Sequence, residues 1–321
     1  MDWVRAYWTP PLPPKLAFEV ERNQIEQVLA LAALVSLTDH DSISAPTALR
    51  VVEETSQIPL ALEWSVPFEG EVFHLGVQNL PSAEAQTIVD DLSAYTRHQS
   101  TRQLIELLAR LHDYPEVLVI FNHPLWDLGG IGQSRHDEIL GRFLREYCKF
   151  LHAFELNATR SRSENNAVIE LAGLWQQLLI SGGDRHGCEP SAALNLTCAT
   201  SFSEFVHEIR VEQRSHVLFM PQYTEPLGVR TMGAILDVIR DYPTYPAGCR
   251  RWDDRIFHPD PTGTTDQPIS SFWKAPPAFI EWIFSAMRIM ENATLRRAVG
   301  QILKNEVSLE LPSDSVYEAT S

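Results

Sequence analysis

The chain is 321 residues long, with 42 Asp and Glu against 26 Lys and Arg, for a formal charge of −16. That length suits one large domain or two ordinary ones, and a hydrophobic content of 44 % supplies a core and excludes wholesale disorder. The acidity excludes a surface that coats nucleic acid or an anionic membrane, since both need basic stripes.

Residues 9–14 (Thr-Pro-Pro-Leu-Pro-Pro) form a stiff, polyproline-like lead-in. Phe18, Ile25, Val28 and Leu29 are spaced for one face of a helix over 15–31. The apolar run 33–37 predicts a short buried strand ending at Thr38-Asp39-His40-Asp41. The same unit recurs. A strand over 58–62 ends at Glu63, and 72–77 alternates around His74. Strands over 117–121, 152–156 and 178–181 end at Asn122-His123-Pro124, Asn157 and Gly182-Gly183-Asp184-Arg185-His186, and 217–220 is a last candidate. Helical stretches over 44–55, 84–112, 134–149, 163–177 and 202–213 lie between them. Strands alternating with helices predict an α/β fold with a mostly parallel sheet. After residue 226 helices dominate (228–241, 277–291, 293–305), and 311–321 is a polar, flexible tail.

The informative feature is where polar residues fall. Asp39, His40, Glu63, His123, Asp184 and His186 each follow an apolar run, and His74 lies inside one. In a closed parallel barrel all strand C-termini open on one face, so residues distant in sequence converge there. His, Asp and Glu gathered at one mouth form a ligand set for divalent transition metals. Carboxylates offset the cation charge, while neutral imidazoles leave enough of it to acidify water.

Thr38-Asp39-His40-Asp41, Glu63, His74 in Val-Phe-His-Leu-Gly, Asn122-His123-Pro124 and Gly183-Asp184-Arg185-His186 resemble, in order and spacing, the PHP (polymerase and histidinol phosphatase) superfamily. The resemblance covers about residues 30–220. It implies a distorted (β/α)7 barrel over 1–225, to which the helical pattern after residue 226 adds a helical extension over 226–310. It also implies a phosphoesterase holding one to three divalent ions (Zn, Mn or Fe) and acting on a small-molecule phosphoester. Carried over by position, Glu63 bridges two metals, His74 and His123 complete one, and His40 and His186 bind another. Asp184 helps hold the ion on the far side of Glu63, while Asp39 matches no ligand position. Glu63, His123 and Asp184 are the expected catalytic residues. Arg160, Arg162 and Arg185 are candidate clamps for the substrate phosphate.

The family opens with a His-x-His on its first strand, where this chain has Ala6-Tyr7-Trp8-Thr9. Either that strand is degenerate or the true first strand lies upstream. The alternative function is therefore a non-catalytic relative, a binding or regulatory module that has lost the first metal.

Leu128-Gly129-Gly130-Ile131-Gly132 lacks the third glycine of a dinucleotide loop, because Arg135 holds that position, and is expected to be a flexible loop at the site. No Gly-x-Ser-x-Gly elbow surrounds Ser36 or Ser181. The aromatic stretch 272–284 is expected to pack as a helix on the barrel; if exposed it would make a dimer surface, so a homo-oligomer is one expectation. Cys148, Cys188, Cys198 and Cys249 form no Cys-x-x-Cys pair, which makes a reducing cytoplasm the expected compartment. No apolar stretch has transmembrane length, and Trp3, Arg5 and Trp8 stand where a signal peptide needs an apolar run.

Overall fold

The computed structural model describes residues 7–9, 11–53, 57–242, 251–259, 266–273, 275–289 and 316–318. The chain opens with β1 (Tyr7–Trp8) and α1 (Pro14–Asn23), whose Pro14 sits at the first helical position, where no backbone donor is needed. A π-helical turn, Gln24–Val28, continues it. The strand expected over 33–37 does not form. That segment meets the sheet without a strand, through the Ser36 hydroxyl on Gln78 and a bridge between His40 and Glu63, before α2 (Ser44–Val52) begins.

β2 (Leu62–Phe68) and β3 (Glu71–Gln78) follow. Their connection is Glu69-Gly70, both left-handed at φ 51 and 91, which is the backbone of a tight hairpin turn. Next come α3 (Ala85–Arg97) and α4 (Thr101–Asp113), so the single helix expected over 84–112 is two helices, broken at His98–Ser100. The middle of the chain alternates as expected: β4 (Leu118–Asn122), α5 (Gln133–Tyr147), β5 (Ala153–Asn157), α6 (Arg162–Trp175) and β6 (Leu178–Gly182). Then follow β7 (Ala193–Leu196), α7 (Phe202–Arg210), β8 (His216–Phe219) and α8 (Leu227–Val238). The last elements are β9 (Ile256–Pro259), β10 (Asp266–Pro268), α9 (Ala278–Ile289) and β11 (Val316–Glu318). The helix expected over 293–305, Ala6, Cys249 and most of the polar tail lie outside the described residues.

The distorted (β/α)7 barrel is not what the described residues build. They form a five-stranded sheet in the order β2-β3-β4-β5-β6 and two three-stranded sheets, β1-β9-β10 and β11-β8-β7, with no closed barrel. The cause is local. The Glu69-Gly70 turn makes β2 and β3 an antiparallel hairpin, and β3 pairs antiparallel with β4 as well. A two-residue turn leaves no room for the crossover helix that parallel strands require. Within this large sheet only β4, β5 and β6 are parallel neighbours, with α5 and α6 as their crossovers. β7 and β8 pair antiparallel, and β11 lies parallel to β8.

One face of the large sheet carries Trp64, Val66, Phe73, Leu75, Val119, Phe121, Phe154 and Leu156, which pack against α3, α4, α5 and α6 in the main core. On the other face Leu118, Ile120, Ala153 and Ile180 pack against Phe205, Val206 and Ile209 of α7. A separate small core joins Leu236, Ile239, Trp252 and Ile269. The aromatic stretch belongs there rather than on a barrel: Phe284 stands edge-on to Trp252 at 4.6 Å, while Phe279 and Trp282 are exposed. No helix of the described residues is long and apolar enough to cross a membrane.

Candidate metal centre

Side chains alternate between the two faces of a strand, so register decides which residues share a face. Glu63 pairs with Gly76, Ser65 with His74 and His74 with Asn122; further along, Asn157 pairs with Gly182. Glu63, His74, Asn122, Glu155 and Asn157 thereby emerge on the α7 face, beyond the patch that α7 covers. His123 follows β4 and Asp184 follows β6, both in left-handed backbone at φ 30 and 41. A residue with a β-carbon adopts that conformation only where its surroundings hold it there.

Convergence therefore comes from parity and antiparallel pairing rather than from a ring of strand C-termini. Glu63 is the second residue of β2, not the residue after it, and His74 lies mid-strand. Glu63 Oε1 stands 3.1 Å from His74 Nδ1 and 3.2 Å from His123 Nε2, and the two ring nitrogens are 3.2 Å apart. Donors at about 2.0–2.1 Å from one tetrahedral zinc are separated by about 3.3 Å. These three atoms fit that spacing, and all three residues are buried. Asn122 Nδ2 donates to Glu63 Oε1 at 3.1 Å, and His40 Nε2 lies 3.8 Å from Glu63 Oε2. His40, Glu63 and His74 each place a ligand atom within 4.8 Å of the others.

Burial pushes the Glu63 carboxyl up, but bonds to His123 and His74 and the charges of His74 and His40 outweigh it. The group is held well below the ordinary carboxylate range. Burial lowers His123, and its bond to Glu63 with the negative charges of Glu155, Asp184 and Glu63 more than reverses this.

A second layer was not expected from the sequence. Glu155 Oε2 accepts the backbone N–H of His123 at 2.8 Å and Asn157 Nδ2 at 2.9 Å. Asp184 Oδ2 accepts from Asn157 Nδ2 at 3.2 Å and from Thr159 Oγ1 at 2.9 Å. Burial drives the Glu155 carboxyl up to about 7 against the opposing charge of His123, with Asp184 and Glu63 adding to the rise. The signal was present in Ala153-Phe-Glu-Leu-Asn157, where two polar residues recur at alternate positions of a fully buried strand.

The other expected residues divide. His186 Nδ1 lies 3.4 Å from Asp184 Oδ1, and its ring is 5.6 Å from that of Trp8. Arg160 places Nη2 3.5 Å from Asp184 Oδ2 and stacks 3.5 Å above the Trp126 ring, which in turn stands edge-on to His123. Arg162 pairs with Glu318 and Arg185 with Glu21. Asp39 contributes a carbonyl to the Glu63 N–H, and burial raises its carboxyl against the charge of His40. At the position of the expected His-x-His, Tyr7 and Trp8 pair with Phe257 and Ile256 of β9 instead of joining the large sheet.

Glu71, Asp127 and His136 form a second group with ligand spacing. Their donors are already used. Glu71 Oε2 meets His136 Nδ1 at 2.9 Å, His136 Nε2 meets the Pro124 carbonyl at 3.0 Å, and Glu71 Oε1 accepts from Gly129 N at 2.9 Å. Asp127 accepts from Ile131 N and Gly132 N. This group ties the glycine-rich loop after His123 to β3.

No protein-family model matches the chain, and no curated protein does. Among solved structures, an amidohydrolase from Chromobacterium violaceum with bound sulfate and no metal is similar at 15% identity, over 55% of this chain and 83% of that chain, with a TM-score of 0.34. That degree of similarity assigns neither fold nor reaction.

Proposed function

We propose that this chain is a metal-dependent hydrolase acting on a small phosphoester. One observation carries the reading: Glu63 Oε1, His74 Nδ1 and His123 Nε2 face one another at 3.1–3.2 Å in a buried cluster. Glu63, His74 and His123 would hold one divalent ion, with His40 beside Glu63 and with Asp184 and His186 on the far side. When bound, a Zn, Mn or Fe ion supplies Lewis acidity toward water and toward phosphoryl oxygens. The PHP resemblance of the same motifs supports the phosphoester as substrate.

The protein's own groups do the rest. The Glu63 carboxylate offsets cation charge, and Asn122 fixes its orientation through Oε1. Arg160, spread on Trp126 beside Asp184, is the clamp for the substrate's anionic group. Arg162 and Arg185 are held in ion pairs elsewhere, which leaves that role to Arg160.

The test is elemental analysis of the purified chain, followed by hydrolysis of p-nitrophenyl phosphate with added Mn²⁺ or Zn²⁺. Retained metal, with turnover that His123→Ala abolishes, is the expected result. A chain that takes up no metal, or turnover unaffected by His123→Ala, rejects it. One observation favours a second reading, a metal-holding binding module without turnover: Ala6 and Trp8 stand where the resemblance expects the two histidines of His-x-His. Metal uptake without cleavage of any phosphoester, carboxylic ester or amide in a panel selects that reading.

A further inference from the structure

Glu155 lies buried in the middle of β5 and takes no ligand position in the reading above, yet two bonds end on its Oε2. One comes from the backbone N–H of His123, and the other from Asn157 Nδ2, which also reaches Asp184 Oδ2. His123 and Asp184 sit at the ends of the strands on either side of β5, and both hold left-handed backbone. Without an acceptor for its N–H, the turn at His123 would relax toward an ordinary conformation and carry the imidazole away from Glu63. Gly182 on β6 keeps the space open. A β-carbon there would fall 1.5 Å from Glu155 Oε1 and 2.2 Å from Cδ, so a side chain and this carboxylate cannot coexist.

We infer that Glu155 is a positioning residue: through one carboxylate oxygen and the Asn157 amide, β5 braces His123 and Asp184 in the geometry that a divalent ion requires. This rests on the metal reading of the Glu63–His74–His123 cluster. Because both bonds fall on Oε2, an amide oxygen at that place serves as well as a carboxylate, and the negative charge is not the essential property.

The experiment titrates Co²⁺ alone into the metal-stripped full chain and follows the visible d–d absorption, with circular dichroism to confirm folding. Glu155→Gln retains the wild-type affinity and spectrum. Glu155→Met, which fills the same volume without an acceptor, weakens Co²⁺ binding by about 10- to 100-fold and shifts the spectrum. Gly182→Ala does the same without altering any ligand, and it carries the test should the Met variant fail to fold. A purely structural role would lower the melting temperature and leave the spectrum of the bound ion unchanged. Folded Glu155→Met or Gly182→Ala with wild-type affinity and spectrum overturns the inference, as does Glu155→Gln losing as much affinity as Met. A wild-type chain that takes up no Co²⁺ overturns the metal reading itself, and the brace with it.

Discussion

Gly76 has no side chain because Asn122 occupies the space where one would lie: a β-carbon there would meet Asn122 Oδ1 at 2.9 Å. The amide so placed donates to Glu63 Oε1 at 3.1 Å, so a glycine on β3 indirectly sets the carboxylate on β2. Gly76→Ala should cost about 1–3 kcal/mol, as overpacking does. Denaturant midpoints read this, and Gly76→Ala combined with Asn122→Ala should cost no more than Asn122→Ala alone. His74 and His123 were legible as single residues because each interrupts an apolar run. Glu155 was not, since its alternation with Asn157 marks two polar residues on one strand face but does not reveal the bond to the His123 backbone.

At the level of elements, the entry to β5 is held by a histidine of another kind. His152 Nδ1 accepts the Val119 N–H at 2.9 Å, and its ring stacks on His112 at 5.0 Å. Arg210 of α7 donates to the carbonyls of His112, Tyr114 and Val117, binding the α4–β4 loop from the side. Burial, with the charges of Arg210 and His112, lowers the His152 imidazole from 6.5 to about 3. The unfolded chain therefore takes up this proton before the folded one does. Stability is unaffected above pH 6.5 and falls as pH drops from there toward 3, by at most about 1.4 kcal/mol per pH unit. His152→Asn keeps an acceptor for Val119 and should flatten that part of the stability–pH curve, which urea melts at successive pH values measure. Elements were the most legible level, β4 through β6 above all, because apolar runs and helical periodicity recur there cleanly. The hairpin was not, since a buried hairpin and two successive parallel strands share the same apolar pattern.

For the whole molecule, the three proposed ligands come from three neighbouring strands of one sheet, so an ion held by Glu63, His74 and His123 would tie β2, β3 and the end of β4 together. Binding to the folded state alone stabilises by about 2.7 kcal/mol at a hundred times the dissociation constant. At about 2 °C per kcal/mol for a chain of this size, Zn²⁺ or Mn²⁺ should raise the melting temperature by about 5 °C, and EDTA should reverse the rise. Scanning calorimetry should show no such shift in His74→Ala. The two termini of the described chain also enter this picture. β1 pairs with β9, and β11 with β8, so residues far apart in sequence close the edges of the smaller sheets.

By itself the sequence determined the chemistry on offer: histidines and acids punctuating apolar runs, a net charge of −16, and the central parallel β–α alternation. These follow from composition and periodicity, which are local properties of the chain. Only the tertiary structure decided that the large sheet is mixed, that Arg160 lies against Asp184 and Trp126 while Arg162 pairs with Glu318 and Arg185 with Glu21, and that Glu155 stands behind His123. Each of those depends on strand direction and register. A two-residue turn reverses the one, and a single-residue slip in the other would move every site residue to the opposite face.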